Sequence, residues 1–395
     1  MFIEMTRREA VLVAAGLAAW KPARGADASL KITGLEFFPV KASNRTQWLF
    51  VRLKTNKGLT GLGETSDGWG QVRASQVPEM EKLLGEFFEL ARDQSPFAIE
   101  AYRQKGRPRA KAAGVPAHTV FSAIEQAHWD LVGKALGSPV YELFGGKIRD
   151  RLPVYANINR ITTERTPEAF AANAKAAISE GFTAIKAAPW DGYPQAISVE
   201  KAIACVAAIR EAIGPRNSLF VDCHSYFDVK LGIDVAKRLE PMNVVWYEEP
   251  VAPTMTKETI EIHSKIKQPM AGGEMLFGME GFAPLCKAHG IDIIMPDVKH
   301  CGGLLEARKI AALAELEGIE VAPHNPTGPV ATAAGVQLCA GLPNFKILEY
   351  QWGEAAWRGD LVNPPQVFER GMIAVPTGPG FGIELNDRVV KEHLL

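Results

Sequence analysis

Two kinds of hydrophobic spacing divide the chain. From Leu30 to Thr65 apolar and polar residues alternate, with a turn signal at Asn56-Lys57-Gly58, which predicts two or three antiparallel strands. Across Pro78 to Ala91, Ile99 to Gln104 and Ala117 to Leu136 apolar residues recur at helical spacing, so residues 29–150 read as a small α+β unit ending near Gly145-Gly146-Lys147. After Pro153 the text changes to short β-branched runs, each followed by an amphipathic helix of about a dozen residues. The runs are Val154–Ile158, Ala184–Ala187, Leu219–Cys223, Val244–Tyr247, Met270–Ala271, Ile291–Met295, Glu320–Ala322 and Lys346–Leu348. Such runs, one per helix, suit a closed parallel barrel over residues 151–360, followed by a segment 361–395. A doubly wound sheet would use about five or six strands, and its glycine-rich phosphate turn occurs nowhere.

Composition narrows the partners. Among 395 residues, Lys+Arg 44 against Asp+Glu 45 gives a formal net charge of −1, so nothing here would neutralise a nucleic-acid backbone or coat an anionic membrane. The cysteines (Cys205, Cys223, Cys286, Cys301, Cys339) form no CxxC pair, which points away from a disulfide framework or a structural zinc site. Val11 to Trp20 is the longest apolar stretch, about half of the roughly 20 residues that span a bilayer, so no membrane anchor is expected. It follows Thr6-Arg7-Arg8 and precedes Ala26-Asp27-Ala28, an order that resembles a twin-arginine export signal over residues 1–28. Export to the periplasm is therefore expected, with a cytoplasmic location as the alternative.

In such a barrel the chemistry sits where strands end, because the following loops converge on one face. The polar residues at those ends are Lys186, Asp222 with His224, Glu248 with Glu249, Glu274, Asp297, His324 and Glu349. From Asp222 through Glu248, Glu274, Asp297, His324 and Glu349 the steps are 26, 26, 23, 27 and 25 residues, the βα period. Asp222, Glu248 and Glu274 would converge and repel one another unless a cation lay between them. All-oxygen ligation favours Mg²⁺ and leaves positions for water and a substrate carboxylate. Separately, each acid would serve equally well as the cap of the helix after its strand.

His324 and Asp297 end neighbouring strands. A carboxylate holding one ring nitrogen fixes the tautomer and raises the basicity of the other, as a general base near neutral pH requires. His224, two residues after Asp222, is expected by strand alternation to face the same side and to act as an acid. Glu349 is placed to orient a hydroxyl or His324, and Lys186 to neutralise developing oxyanion charge. Histidines bonded to backbone and solvated rim charges are the plainer readings of these residues taken singly.

Taken in order, Val221-Asp222-Cys223-His224, Trp246-Tyr247-Glu248-Glu249-Pro250, Gly272-Gly273-Glu274, Met295-Pro296-Asp297 with Cys301-Gly302-Gly303, Ala322-Pro323-His324-Asn325-Pro326 with Gly328-Pro329, and Pro376-Thr377-Gly378-Pro379-Gly380 resemble the enolase superfamily. The resemblance is to its mandelate racemase and muconate-lactonizing group, and within it to acid-sugar dehydratases of the galactonate dehydratase type. It implies an α/β protein, a modified (β/α)₇β TIM barrel with an N-terminal α+β capping domain completed by the C-terminal tail. It also implies Mg²⁺ on Asp222, Glu248 and Glu274, a His324–Asp297 base, His224 as acid, and association into homo-oligomers. The expected reaction removes the proton α to the carboxylate of a small hydroxy acid, an aldonate, and expels the β-hydroxyl to give a 2-keto-3-deoxy acid. Epimerisation or racemisation through the same enediolate, and non-catalytic carboxylate binding, are the alternatives. Lys186-Ala187-Ala188 keeps one lysine of the group's Lys-x-Lys motif, which argues against racemisation by paired bases. Substrate selection is expected from Thr65 to Gln71, with Trp69, and from the loop Trp190 to Pro194.

Overall fold

The computed structural model describes residues 27–66 and 74–395, so residues 1–26 of the expected export signal and the loop containing Trp69 lie outside the described residues. Strands β1 (Ile32–Lys41), β2 (Gln47–Thr55) and β3 (Thr60–Thr65) form an antiparallel sheet in that order. Its inner residues Leu49, Val51 and Leu53 pack with Phe87, Phe121 and Ile124 from the helices Val77–Phe88 and Val115–Leu136. At about 1.5–3 kcal/mol per buried large side chain, this layer accounts for much of the cap's stability. Gly63 permits the close fit, since a Cβ there would run into the Ala123 carbonyl.

One cap helix exceeds its sequence expectation. It runs from Ile99 to Ala113, well past Gln104 and through Pro108, where lysines, arginines and a proline hide it from an apolar-spacing argument. Tertiary contacts override the local signal: Tyr102 stacks on Phe121 with centroids 5.2 Å apart, and Arg103 pairs with Glu306 of the barrel.

The barrel strands are β4 (Arg151–Asn157), β5 (Ala184–Ala187), β6 (Ser218–Asp222), β7 (Trp246–Glu248), β8 (Met270–Gly272), β9 (Ile293–Ile294), β10 (Glu320–Val321) and β11 (Leu348–Gln351), each parallel to its neighbour. β11 pairs with β4, and Lys346 N donates to Val321 O over 2.8 Å to close the ring beside β10. A helix follows every strand from β4 to β10, which gives the (β/α)₇β order. The last strand lies later than the run Lys346–Leu348 and β7 later than Val244–Tyr247, because the ladder begins only where neighbouring strands come into register. Phe220 stacks on Trp246 at 3.7 Å, and Tyr155 meets both edge-on, plugging the barrel beneath its mouth.

The tail returns to the cap as expected. Lys41 N donates to His393 O over 2.8 Å, and Arg52 pairs with Asp387. Two buried cap glutamates fasten the cap to the barrel: Glu125 accepts from Leu304 N at 2.7 Å and Leu305 N at 3.0 Å, and Glu64 from Gly328 N at 2.6 Å and Ala331 N at 2.9 Å. Each caps a barrel helix with a carboxylate where the helix dipole favours negative charge.

Candidate active site

Asp222 and Glu248 end adjacent strands as direct partners in the ladder, and Glu274 follows β8 by two residues. Their ligand atoms lie within 4.8 Å of one another. Gly273 makes the last placement possible: its φ of 101° is a left-handed backbone that a side chain would strain, and Glu249 Oε1 accepts from Gly273 N at 2.7 Å. Burial, then the charge of Glu274, pushes the Glu249 carboxyl up to about 8.

These residues fit a divalent cation. Burial and the neighbouring Asp222 charge drive the Glu248 carboxyl well above its usual range, the cost of crowding acids in a dry site. Asp222 Oδ2 and Glu274 Oε2 are buried without a hydrogen bond among the described residues. Lys186 Nζ (3.0 Å) and His224 Nε2 (3.1 Å) approach Asp222 Oδ2 as charges rather than aligned donors. Trp246 Nε1 donates to Glu248 Oε2 at 3.0 Å, fixing that carboxylate. Hard oxygen donors in this number suit Mg²⁺ with open positions for water and substrate.

Lys186 is almost wholly buried and reaches Glu248, Asp222 and, at 3.5 Å, Glu349, so one ammonium serves several carboxylates. Glu349 accepts from Asn157 Nδ2 at 2.7 Å and from Asn325 N at 2.9 Å. The second bond anchors the backbone directly after His324.

His324 Nδ1 donates to Asp297 Oδ2 at 2.8 Å, and its Nε2 lies 3.4 Å from Glu274 Oε2, facing the carboxylates. Burial opposes protonation, but the charges of Glu274 and Asp297 outweigh it and raise the His324 pKa. Despite burial, neighbouring positive charge holds the Asp297 carboxyl well below the usual range.

His224 reaches the cavity by a different route from the one expected. β6 ends at Asp222, so alternation no longer applies; His224 adopts a φ of 45° and its N–H donates to Asp222 Oδ1 at 2.9 Å. This left-handed turn swings the imidazole inward and stores strain at the site. Its Nδ1 donates at 2.6 Å to Asp191.

Asp191 was not foreseen, although it belongs to the loop Trp190 to Pro194. Its Oδ2 accepts from Arg165 Nη2 at 2.5 Å and from Asn159 Nδ2 at 2.8 Å. His300 was also missed, despite standing three residues after Asp297. It bridges the Glu274 carbonyl (3.0 Å) and Ser66 Oγ (3.2 Å), and burial lowers its pKa to about 4, so it is a neutral spacer. Asp222, Glu274, His224, His324, Lys186, Asp191 and His300 line one cavity of about 450 Å³. Asp297, Glu248 and Glu349 stand behind this lining.

A barrel whose strand ends gather carboxylates beside a histidine–aspartate pair, beneath an α+β cap, defines an enolase-type protein. Residues 36–145 match the N-terminal domain of mandelate racemase / muconate lactonizing enzymes, and residues 169–389 match the enolase C-terminal domain-like family. The chain belongs to the mandelate racemase/muconate lactonizing enzyme group of the enolase superfamily. It is 32% identical to a D-galactonate dehydratase of Verminephrobacter eiseniae over 92% of this chain and 94% of that protein. It is 31% identical to a D-xylonate dehydratase of Haloferax volcanii over 88% of this chain and 85% of that one. A mandelate racemase/muconate lactonizing enzyme structure from Jannaschia sp. CCS1 superposes with a TM-score of 0.83 at 31% identity, covering 92% of this chain and 98% of the other.

Proposed function

We propose that this protein is a lyase, an Mg²⁺-dependent dehydratase of a sugar acid. The observation that carries the reading is a pair of histidine–aspartate dyads facing one cavity, with a carboxylate cluster beside them. His224 follows β6 and His324 follows β10, four strands apart in an eight-stranded ring, so they approach from opposite sides. The dehydratase names of the relatives support elimination over simple proton exchange.

A hydrogen α to a carboxylate is too weakly acidic for imidazole in water. Mg²⁺ on Asp222, Glu248 and Glu274 would hold the substrate carboxylate and stabilise the charge that develops on its oxygens. His324 Nε2 takes the α-proton, while Asp297 keeps Nδ1–H in place and supports the imidazolium. Protonated His224 gives its Nε2 proton to the departing β-hydroxyl; the C–O bond breaks, one water leaves, and the enol tautomerises to a 2-keto-3-deoxy acid. Lys299, whose Nζ lies 4.0 Å from Asp297 Oδ2, adds a cation on the base side of the cavity.

The test is a screen of acid sugars with purified protein and Mg²⁺ in D₂O. A 2-keto-3-deoxy product is expected. His324→Asn is expected to abolish α-proton exchange, and His224→Asn to keep exchange while losing elimination. Deuterium retained in substrate without water loss would favour epimerisation, and binding without any exchange would leave only a carboxylate-binding protein. Export by the N-terminal segment is carried forward as the proposed setting; a reporter fused to residues 1–28 that stays cytoplasmic would overturn it.

A further inference from the structure

The cavity has a second charged region away from the carboxylates. Arg45, on the cap turn between β1 and β2, lines the same cavity as Asp222 and Glu274. The one hydrogen bond of its side chain among the described residues is a long donation, 3.5 Å, to the Arg160 carbonyl. No carboxylate among those residues lies within 4.0 Å of it. The neighbouring arginines are already paired, Arg160 with Glu354 at 3.0 Å and Arg165 with Asp191 at 2.5 Å. Burial and the like charge of Arg45 lower the Arg165 pKa against the pull of Asp191, and in this group three arginines face two paired carboxylates. Gln351 also lines the cavity, and its buried Oε1 has no partner among the described residues, leaving an acceptor for a substrate hydroxyl.

We propose that Arg45 receives a second carboxylate, at the far end of a hydroxylated chain whose first carboxylate meets Asp222, Glu248 and Glu274 through the metal. The preferred substrate class is thus the aldarate, a sugar diacid, rather than the aldonate; this rests on the dehydratase reading above. Three features argue for it. A partly buried guanidinium without a counter-ion among the described residues is costly unless an anion arrives, and its planar fork matches a carboxylate. A single free fork balances one negative charge, which suits a carboxylate better than a phosphate dianion. Arg45 also comes from the cap whereas the carboxylates come from the barrel, so a diacid would tie the two together across the cavity.

The experiment compares kcat/KM for an aldonate, the aldarate of the same stereochemistry, and the aldonate phosphorylated at its terminal carbon, using wild type, Arg45→Met and Arg45→Lys with Mg²⁺. The aldarate is expected to be favoured by wild type. Arg45→Met is expected to lower the aldarate-to-aldonate ratio of kcat/KM on the order of tenfold to a hundredfold, mainly through KM, with partial recovery in Arg45→Lys. A merely structural role for Arg45 in seating the cap would lower both substrates together and overturn the proposal, as would preference for the aldonate or for the phosphorylated acid. Calorimetric binding of the same acids separates the two readings. Arg45-dependent preference for the diacid without turnover would sink dehydration but keep the subsite; turnover of monoacids indifferent to Arg45 would do the reverse.

Discussion

Asp191 holds His224 through a 2.6 Å bond to Nδ1, just as Asp297 holds His324 through one of 2.8 Å. Each imidazole therefore has a fixed tautomer and turns its Nε2 toward the carboxylate cluster.

Asp191→Asn should separate the two halves of the reaction. Without the carboxylate, His224 holds its proton less of the time and its ring is less firmly oriented, so elimination should slow by about 10²-fold. Exchange of the α-proton, the step proposed for His324, should fall far less. Measuring deuterium wash-in beside product formation decides it, and equal losses would remove Asp191 from the acid's support.

Mg²⁺ should stabilise the fold through the carboxylate cluster. At about a hundred times its Kd a ligand that binds only the folded state adds about 2.7 kcal/mol, seen as a rise in Tm. The rise should vanish in Glu248→Gln. It should be larger in Lys186→Met than in wild type, because Lys186 is the ammonium that otherwise offsets Asp222 and Glu248. A Tm indifferent to Mg²⁺ in the wild type would contradict the assigned ligands.

Glu64→Ala should damage both stability and turnover. It leaves the amides of Gly328 and Ala331 buried and unpaired, at a cost of about 2–4 kcal/mol, read from the urea midpoint. These amides lie a few residues beyond His324, so kcat should fall even where the protein is fully folded. Wild-type kcat in a folded variant would show that the clamp does not position the proposed base.

Acid should weaken the cap through His128. The ring is wholly buried, donates to the Pro96 carbonyl, and has its pKa lowered by burial to about 4. Between about 6.5 and 4 the unfolded chain carries a proton that the folded chain refuses. Stability is thus whole above about pH 6.5 and declines as pH falls, by roughly 3 kcal/mol for this group near pH 4. Urea midpoints from pH 7.5 to 4.5 should fall less steeply in His128→Gln; identical slopes would assign the decline elsewhere.

The ring of strand-end residues is legible in the sequence because the βα period repeats, which sets Asp222, Glu248, Glu274, Asp297, His324 and Glu349 in order around one face. What escaped reading carries no period. Asp191 sits on an irregular loop, Arg45 on a turn of the cap, and Glu64 inside a strand where an acid looks like an exposed residue. The helix Ile99–Ala113 was cut short for a related reason, since its buried stripe includes Arg103, held by pairing with Glu306, rather than apolar residues alone. The turn at His224 was misjudged because two residues of spacing do not reveal where a strand stops.

Glu64 and its partners Gly328 and Ala331 are separated by 264 and 267 positions along the chain. The clamp beside His324 thus forms only when a segment made early in synthesis meets one made near the end. Closing so long a loop is an entropic cost met late in folding, so the catalytic cavity should be among the last parts of the molecule to become native.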